Sequence, residues 1–512
     1  MQHFSSIGKS APLDKGWRII APAPQEKHYG YTDLSPSQSL INLIHISDTH
    51  ICDAQSPARV EYLDRYADPH HPVSQLIGSL VGTYRAHEFL TVQVLESMIQ
   101  SINSIETAPI TKTPITSVVI TGDMTDNAQI NEMNWFTTLL EGGKITPDSG
   151  AHSHWEGIGG KHYSPHFWNP HGTPAGEEDD FPRKLYGFPV IPEILDAARA
   201  TFVATGLKHP WLAVHGNHDA LLQGTVVPDE LLRSLAVSSE KIMELSDQEA
   251  IAALQQVSEI GPAKYPAPAA PVTTAATADP SRDFVQPHMW GAYILNSKST
   301  DFESKKYWRR DFEKVTILAL DTVNPFGGWQ GSIDQEQFEW LKSNVESLHD
   351  RYLIITSHHP VEDIFNNYTP HEQPRVLGIE IEAYLISQPH VITWICGHTH
   401  RNRIRYHGPD KTRGFWQIET SSLIDWPQEG RIIEIFLDHN QDICIASTQI
   451  NHNGVIASDV TEYSVDQIND LAGISRLLSV NDWQRREGNF AIESNEGNAP
   501  DRSSLLRLPK RL

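Results

Sequence analysis

Six short apolar runs, each closed by polar or glycine-containing residues, set the rhythm of the first 400 positions: 41–47 (INLIHIS), 116–121 (TSVVIT), 211–215 (WLAVH), 315–320 (VTILAL), 352–357 (YLIITS) and 391–396 (VITWIC). Runs of this length, rich in β-branched and aliphatic residues, predict strands buried on both faces. Between them Leu95, Met98, Ile99 and Ile102, and later Phe338, Leu341, Val345 and Leu348, recur at the three-and-four spacing of an amphipathic helix. Ser332 and Gln335 read as a capping box ahead of the second helix. Strand and helix in alternation predict an α/β fold. Beyond 401 the strands crowd together, at about 414–419, 431–437 and 443–449, which predicts an antiparallel portion completing the sheets.

Two stretches break the rhythm. Residues 128–185 are rich in Gly, His, Pro and Trp, and 220–300 holds a helix pair, with Ser246 and Glu249 as a capping box, followed by the Pro/Ala/Thr segment 262–282. Both read as insertions. The chain then divides into an N-terminal extension (1–40), a main domain (41–450) and a C-terminal extension (451–512) whose periodicity is weak from about 470 onward.

Composition narrows the partners. Against 40 Lys and Arg stand 64 Asp and Glu, a formal charge of −24, which works against nucleic acids and anionic membranes because both need a cationic face. Three cysteines, Cys52, Cys396 and Cys444, give no disulfide framework and suit a reducing compartment. No signal-peptide run opens the sequence and no apolar stretch approaches ~18 residues, so a soluble, cytoplasmic protein is expected. Oligomeric state is not legible.

The residues at the end of each strand carry the chemistry. The first strand runs into Asp48-Thr49-His50, the second into Gly122-Asp123-Met124-Thr125-Asp126-Asn127, and the third into Gly216-Asn217-His218-Asp219. Later strands deliver Ser357-His358-His359-Pro360 and Gly397-His398-Thr399-His400. Ligands of open α/β sheets gather beyond the carboxyl ends of strands, so five polar clusters at five such ends point to one site. In Asp48-x-His50 and His398-x-His400 the two side chains of an extended segment point the same way and can hold one cation; imidazole with carboxylate suits Zn, Mn or Fe.

Together these blocks resemble the calcineurin-like metallophosphoesterase superfamily, whose ordered signature is D-x-H, G-D-x-x-D, G-N-H-D/E, a histidine before a proline turn, and G-H-x-H. Segments 53–69, 210–219 and 419–431 are further similar to a long bacterial metallophosphoesterase subfamily without an assigned substrate. The resemblance implies a four-layer α/β/β/α sandwich with large insertions. It implies a first metal on Asp48, His50 and His400, a second on Asn217, His358 and His398, and Asp123 bridging both. His218 is implied as the histidine that contacts phosphate and protonates the leaving group, with Asp219 and Asp126 orienting neighbouring histidines. Asn127 and His359 are expected just behind the ligands or facing substrate. Purple acid phosphatases place a tyrosine three residues after the bridging aspartate; Asp126 stands there, which favours two divalent ions, Mn, Fe or Zn, over a tyrosinate–Fe(III) site.

Two such cations can hold a bridging hydroxide near neutral pH and stabilise an in-line displacement at phosphorus. With two aspartates and one hydroxide the site keeps about +1, enough to attract phosphate within an acidic protein. The expected function is hydrolysis of a small phosphate ester, a nucleotide-like or other organic phosphodiester first and a phosphomonoester second; the alternative of another class is a non-catalytic scaffold on the same fold. Ser422, Asp425 and Trp426, on the turn after 414–419, either line the pocket or merely make the turn.

Overall fold

A computed structural model describes residues 4, 6–30, 36–66, 68, 71–74, 82–257, 265, 268–290, 293, 306–485 and 491–512. The chain folds around two six-stranded sheets. The first contains β1 (Gln38–Ile46), β2 (Ser117–Ile120), β3 (Trp211–Ala213), β10 (Glu429–Leu437), β11 (Ile443–Asn451) and β12 (Ser504–Leu508), in the order β12-β11-β10-β1-β2-β3. The second contains β4 (Trp308–Asp311), β5 (Val315–Ala319), β6 (Tyr352–Thr356), β7 (Val391–Cys396), β8 (Arg403–Asp410) and β9 (Arg413–Glu419), in the order β4-β5-β6-β7-β9-β8. Strands β1, β2 and β3 run parallel, as do β5, β6, β7 and β9, so each sheet brings several carboxyl ends to one edge. The antiparallel pairs are at the flanks: β4 with β5, β8 with β9, and β1-β10-β11-β12.

Alternation along each strand explains why the sheets stack. Leu43, Val119, Leu212, Ile317, Ile354 and Ile395 share the core between the two sheets. Their neighbours Ile44, Val118 and Ile120 face outward onto α1 (Thr91–Asn103) and α2 (Ile130–Glu141). On the other side Leu318, Leu353 and Ile355 face α3 (Gln335–Ser347) and α4 (Gly378–Ile386). A strand buried on both faces needs a layer on each side, and the result is an α/β/β/α sandwich.

Three expectations change. The cap of α3 is Asp334, whose side chain accepts from the Gln337 amide, rather than the Ser332 and Gln335 box. Residues 130–141 within the supposed 128–185 insertion are α2, a packing layer of the first sheet, because Met133, Phe136 and Leu139 repeat at helical spacing and bury there. The C-terminal extension is also integral: β12 pairs with β11, and helix Ile468–Ser479 (α5) buries Leu471, Ile474 and Leu478. Within 220–300 the helices Glu230–Ala236 and Asp247–Val257 form as expected, Ser246 and Glu249 exchanging the capping-box hydrogen bonds. Part of the 262–282 segment lies outside the described residues. Among the described residues no helix is long and apolar enough to cross a membrane.

Candidate metal centre

The carboxyl ends of β1, β2 and β3 meet those of β6 and β7 at one edge of the sandwich, and the polar clusters converge there. Close approach of the five loops depends on glycine at two points. A Cβ on Gly216 would overlap Asp123, and one on Gly397 would overlap Ser47 and Asp48. The backbone is also strained where the donors are: Asp48 (φ 51°), His50 (43°), Asp123 (47°), His398 (74°) and His400 (60°) all lie in the left-handed region. Each such non-glycine residue costs of order 1–3 kcal/mol, which persists only where the surroundings enforce it.

The donor atoms fall into two groups. His50 Nε2 and His400 Nε2 approach head-on at 3.2 Å, and Asp48 Oδ1 lies 3.4 Å from His400 Nε2. Beside them His358 Nε2 and His398 Nδ1 approach at 3.2 Å. Asp123 Oδ2 sits between the groups, 3.1 Å from His358 Nε2 and 3.7 Å from His50 Nε2. Two imidazole nitrogens facing each other need a shared proton or a shared cation, and two such pairs flanked by buried carboxylates have the donor chemistry of a two-cation site. Asn217 adds an independent sign. Its Nδ2 donates to the Gly224 carbonyl at 3.1 Å, while its buried Oδ1 has no hydrogen-bond partner. An orphaned buried carbonyl oxygen is costly, and a cation would satisfy it.

Each ring is fixed from behind. His358 Nδ1 donates to the Thr121 carbonyl at 2.7 Å, leaving Nε2 as the free electron pair. His50 Nδ1 faces Asp126 Oδ1 at 3.0 Å, and His400 Nδ1 faces Asp425 Oδ2 at 2.5 Å. Both carboxylates are themselves held by arginines: Arg59 on Asp126 at 2.5 Å, Arg85 on Asp425 at 2.7 Å and Arg485 on Asp425 at 2.7 Å. Burial pushes the Asp425 carboxyl up, but Arg485 and Arg85 outweigh it and hold the group well below the usual carboxylate range. Asp126 is held down in the same way by Arg59. Burial opposes charge on His358, but Asp123 and Asp48 overcome it and raise the ring to about 9, while burial with His359 and His358 nearby holds His398 well below the usual imidazole range.

His218 donates nothing to the Asp219 carboxylate. Its Nδ1 donates to the Asp126 carbonyl at 2.8 Å and its backbone amide donates to Asp123 Oδ1 at 2.9 Å, so Nε2 is the nitrogen left for a ligand. Asp219 corrects the expectation placed on it. Its carboxylate takes the amides of Gly216 (2.8 Å) and Thr125 (2.9 Å), so it fastens the 216–219 turn to the Asp123 loop instead of orienting a ring. Burial, with Asp123 nearby, raises it to about 7. Asn127 is fully buried behind Asp126, donating to Asp126 Oδ2 at 3.2 Å and to Glu132 at 2.9 Å. His359 is tied at both nitrogens, Nε2 to the Trp329 carbonyl at 2.9 Å and Nδ1 to the Thr322 hydroxyl at 2.8 Å, so it has no lone pair to offer a cation. Burial, with the charge of His358, lowers it to about 3.

Sequence reasoning missed Arg59, Arg85 and Arg485 entirely. Nothing in local spacing links Arg85 or Arg485 to Asp425; Arg485 comes from the turn after α5, and Arg85 from the segment leading into α1, where His87 Nε2 also meets the Ile424 carbonyl at 2.7 Å. The sequence left Asp425 either lining the pocket or merely making the turn; the structure places it behind His400.

Residues 186–402 match the family model described as calcineurin-like phosphoesterase, less than half of the chain. The match includes Asn217, His218, His358, His398 and His400 and begins after Asp48, His50 and Asp123. Comparison with curated proteins returned no match. Among solved structures, purple acid phosphatase PPD1 of yellow lupin (Lupinus luteus) is 11% identical with a TM-score of 0.30, covering 85% of this chain and 55% of that one. A putative 5'-nucleotidase of Staphylococcus aureus is 10% identical with a TM-score of 0.31, covering 85% and 58%, and a structure of PhoD is 9% identical with a TM-score of 0.28, covering 91% and 80%. The chain thus spans little more than half the length of the first two. Likenesses this distant carry no argument about activity.

Proposed function

We infer that this chain, a member of the calcineurin-like phosphoesterase superfamily, hydrolyses small organic phosphate esters at a centre of two divalent metal ions. Asp48, His50 and His400 would hold one ion and Asn217, His358 and His398 the other, with Asp123 placed between the two groups. The observation that carries this reading is the pair of head-on imidazole contacts, each 3.2 Å, flanked by two buried aspartates. When bound, two divalent ions of Mn, Fe or Zn supply Lewis-acid charge for the phosphoryl oxygens and acidify a water toward neutrality.

The chain's own residues do the rest. Asp126 and Asp425 fix the tautomers of His50 and His400, so both present Nε2 to the cations. His218 is locked through Nδ1 and its amide, which leaves Nε2 for the ester; burial lowers the ring to about 4, and the negative charge of a bound phosphate would raise it toward holding the proton for the leaving oxygen. A phosphodiester is the first substrate and a phosphomonoester the second. The scaffold alternative is disfavoured because every one of the seven donor positions carries a metal-binding side chain.

The test uses the full chain, assayed with Mn²⁺, Fe²⁺ and Zn²⁺ on bis-p-nitrophenyl phosphate, p-nitrophenyl phosphate and cyclic nucleotides, with metal content measured in parallel. Two ions per chain and cleavage of the diester are expected. Protein that takes up no transition metal and cleaves none of the esters would rule the reading out.

A further inference from the structure

Two exposed aromatic side chains stand at the rim of the centre where nothing in the packing calls for them. Trp329 is 39% exposed and Phe365 37% exposed, and their rings meet edge to face with centroids 5.6 Å apart. Trp329 also lies nearly parallel to His398, at 18° and 5.8 Å between centroids, so one face of the pair abuts a ring of the metal centre. Among the described residues, Trp168, Trp290, Trp394 and Trp426 are by contrast almost fully enclosed.

The segments that carry the pair are fastened, so the exposure is built in. The Trp329 carbonyl accepts from His359 Nε2 at 2.9 Å. Gly328 N donates to the Thr225 carbonyl at 2.8 Å, Gly331 N to the Asp363 carbonyl at 2.8 Å, and Asn366 N back to the Gly331 carbonyl at 2.9 Å. Buried Asn366 also donates through Nδ2 to the Gly327 carbonyl at 2.8 Å. A Cβ on Gly331 would come within 2.9 Å of the His359 ring, which shows how closely that histidine backs the loop. On either side of Phe365, Ile364 and Asn366 point inward and are buried. A fixed loop that presents an apolar ring to solvent forgoes the gain of burying it, and that gain returns when a ligand covers the ring.

We propose that Trp329 and Phe365 form a preset aromatic platform that binds a planar aromatic group of the substrate, so that this site takes phosphate esters bearing an aryl ring or nucleobase in preference to alkyl phosphates. This rests on the reading of the site as a phosphoesterase. Stacking accepts any π-face, and a platform fixed before binding loses little freedom on contact. His359 acts as a positioning residue: tied to Thr322 and to the Trp329 carbonyl, it holds the Trp329 loop so that the indole lies beside His398.

The test compares wild type with Trp329→Leu, Trp329→Phe and Phe365→Leu on an aryl or nucleoside phosphodiester and on a dialkyl phosphodiester, read as the ratio of the two kcat/KM values. Loss of one stack lowers that ratio roughly 5- to 150-fold in Trp329→Leu, while Trp329→Phe, which keeps a ring, restores most of it. In parallel, equilibrium dialysis of metal-loaded protein with a nucleoside phosphorothioate reads the platform without turnover; weaker binding by Trp329→Leu is expected there too. If wild type binds the phosphorothioate through Trp329 but cleaves nothing, the platform stands and the hydrolase reading fails. An unchanged ratio with unchanged binding, or an equal fall on both esters, overturns the platform.

Discussion

Replacing Asp425 by Asn tests whether the centre is held from behind as the geometry implies. In the native site Oδ1 accepts from Arg85 Nε at 2.7 Å, and Oδ2 accepts from His400 Nδ1 (2.5 Å), Arg485 (2.7 Å) and Arg85 Nη2 (3.3 Å). An amide of the same shape offers one acceptor oxygen and one NH₂. If the NH₂ takes the place of Oδ2, it faces three donors; if it takes the place of Oδ1, it faces Arg85 Nε. Either orientation sets donor against donor in a buried place and removes the negative charge shared by two buried guanidinium groups. Breaking a buried charge network in this way costs about 3–5 kcal/mol of stability. Loosening a carboxylate that orients a metal-binding histidine costs about 10–100-fold in metal affinity. The expected outcome is a lowered melting temperature and a Mn²⁺ activation curve shifted to higher concentration by that factor. The ion on His50, His400 and Asp48 is lost first in metal analysis after dialysis, and saturating Mn²⁺ recovers part of the activity. A variant with wild-type melting temperature and an unmoved activation curve would refute the argument that Asp425 fixes His400.

Three further outcomes are expected from the contacts described above. His218→Asn keeps the metal content but lowers turnover, by roughly 10²–10⁴-fold on an alkyl ester and by much less on a p-nitrophenyl ester, whose leaving group departs without a proton; an equal loss on both would remove the acid role. Asn217→Ala removes the buried Oδ1 that has no hydrogen-bond partner, so metal analysis should show weaker retention of the ion shared with His358 and His398, with the other ion kept. Asp68 is buried against the Trp483 indole, and burial raises its carboxyl to about 7. The folded state therefore binds a proton that the unfolded chain releases near pH 4, so stability falls as pH rises from about 4 to about 7. Asp68→Asn, still able to accept from Trp483, should raise the melting temperature at pH 8 and change it little at pH 4; no difference between the two pH values would contradict the assignment.

The α/β class was readable because its strands are local events, whereas the layering was implied only by the superfamily resemblance. INLIHIS, VTILAL and VITWIC alternate residues between two apolar faces and end in polar turns, and that pattern needs no partner to be recognised. Strand β12 was not readable, because SLLRL is short and becomes a strand only by pairing with β11 at the sheet edge. Helix α2 was hidden in the glycine- and histidine-rich stretch that comes after it. For the site, the five strand-end clusters named the donors, since Asp-x-His and His-x-His carry their chemistry in spacing alone. Which atom of each donor faces the cations was decided elsewhere, by the Thr121 carbonyl, Asp126 and Asp425.

By itself, then, the sequence determined the inventory: six buried strands, the donor residues at the carboxyl ends of five of them, and a superfamily resemblance built on those blocks. Tertiary structure decided the arrangement. It turned Asp219 from a ring partner into a fastener of its own loop, and it brought Arg85 and Arg485 onto a turn aspartate. It also set Trp329 and Phe365 beside His398. The physical reason is range: strand propensity and motif spacing act over a few neighbouring residues, whereas buried charge pairs and ring contacts exist only between segments that packing brings together, here as far apart as His50 and His400.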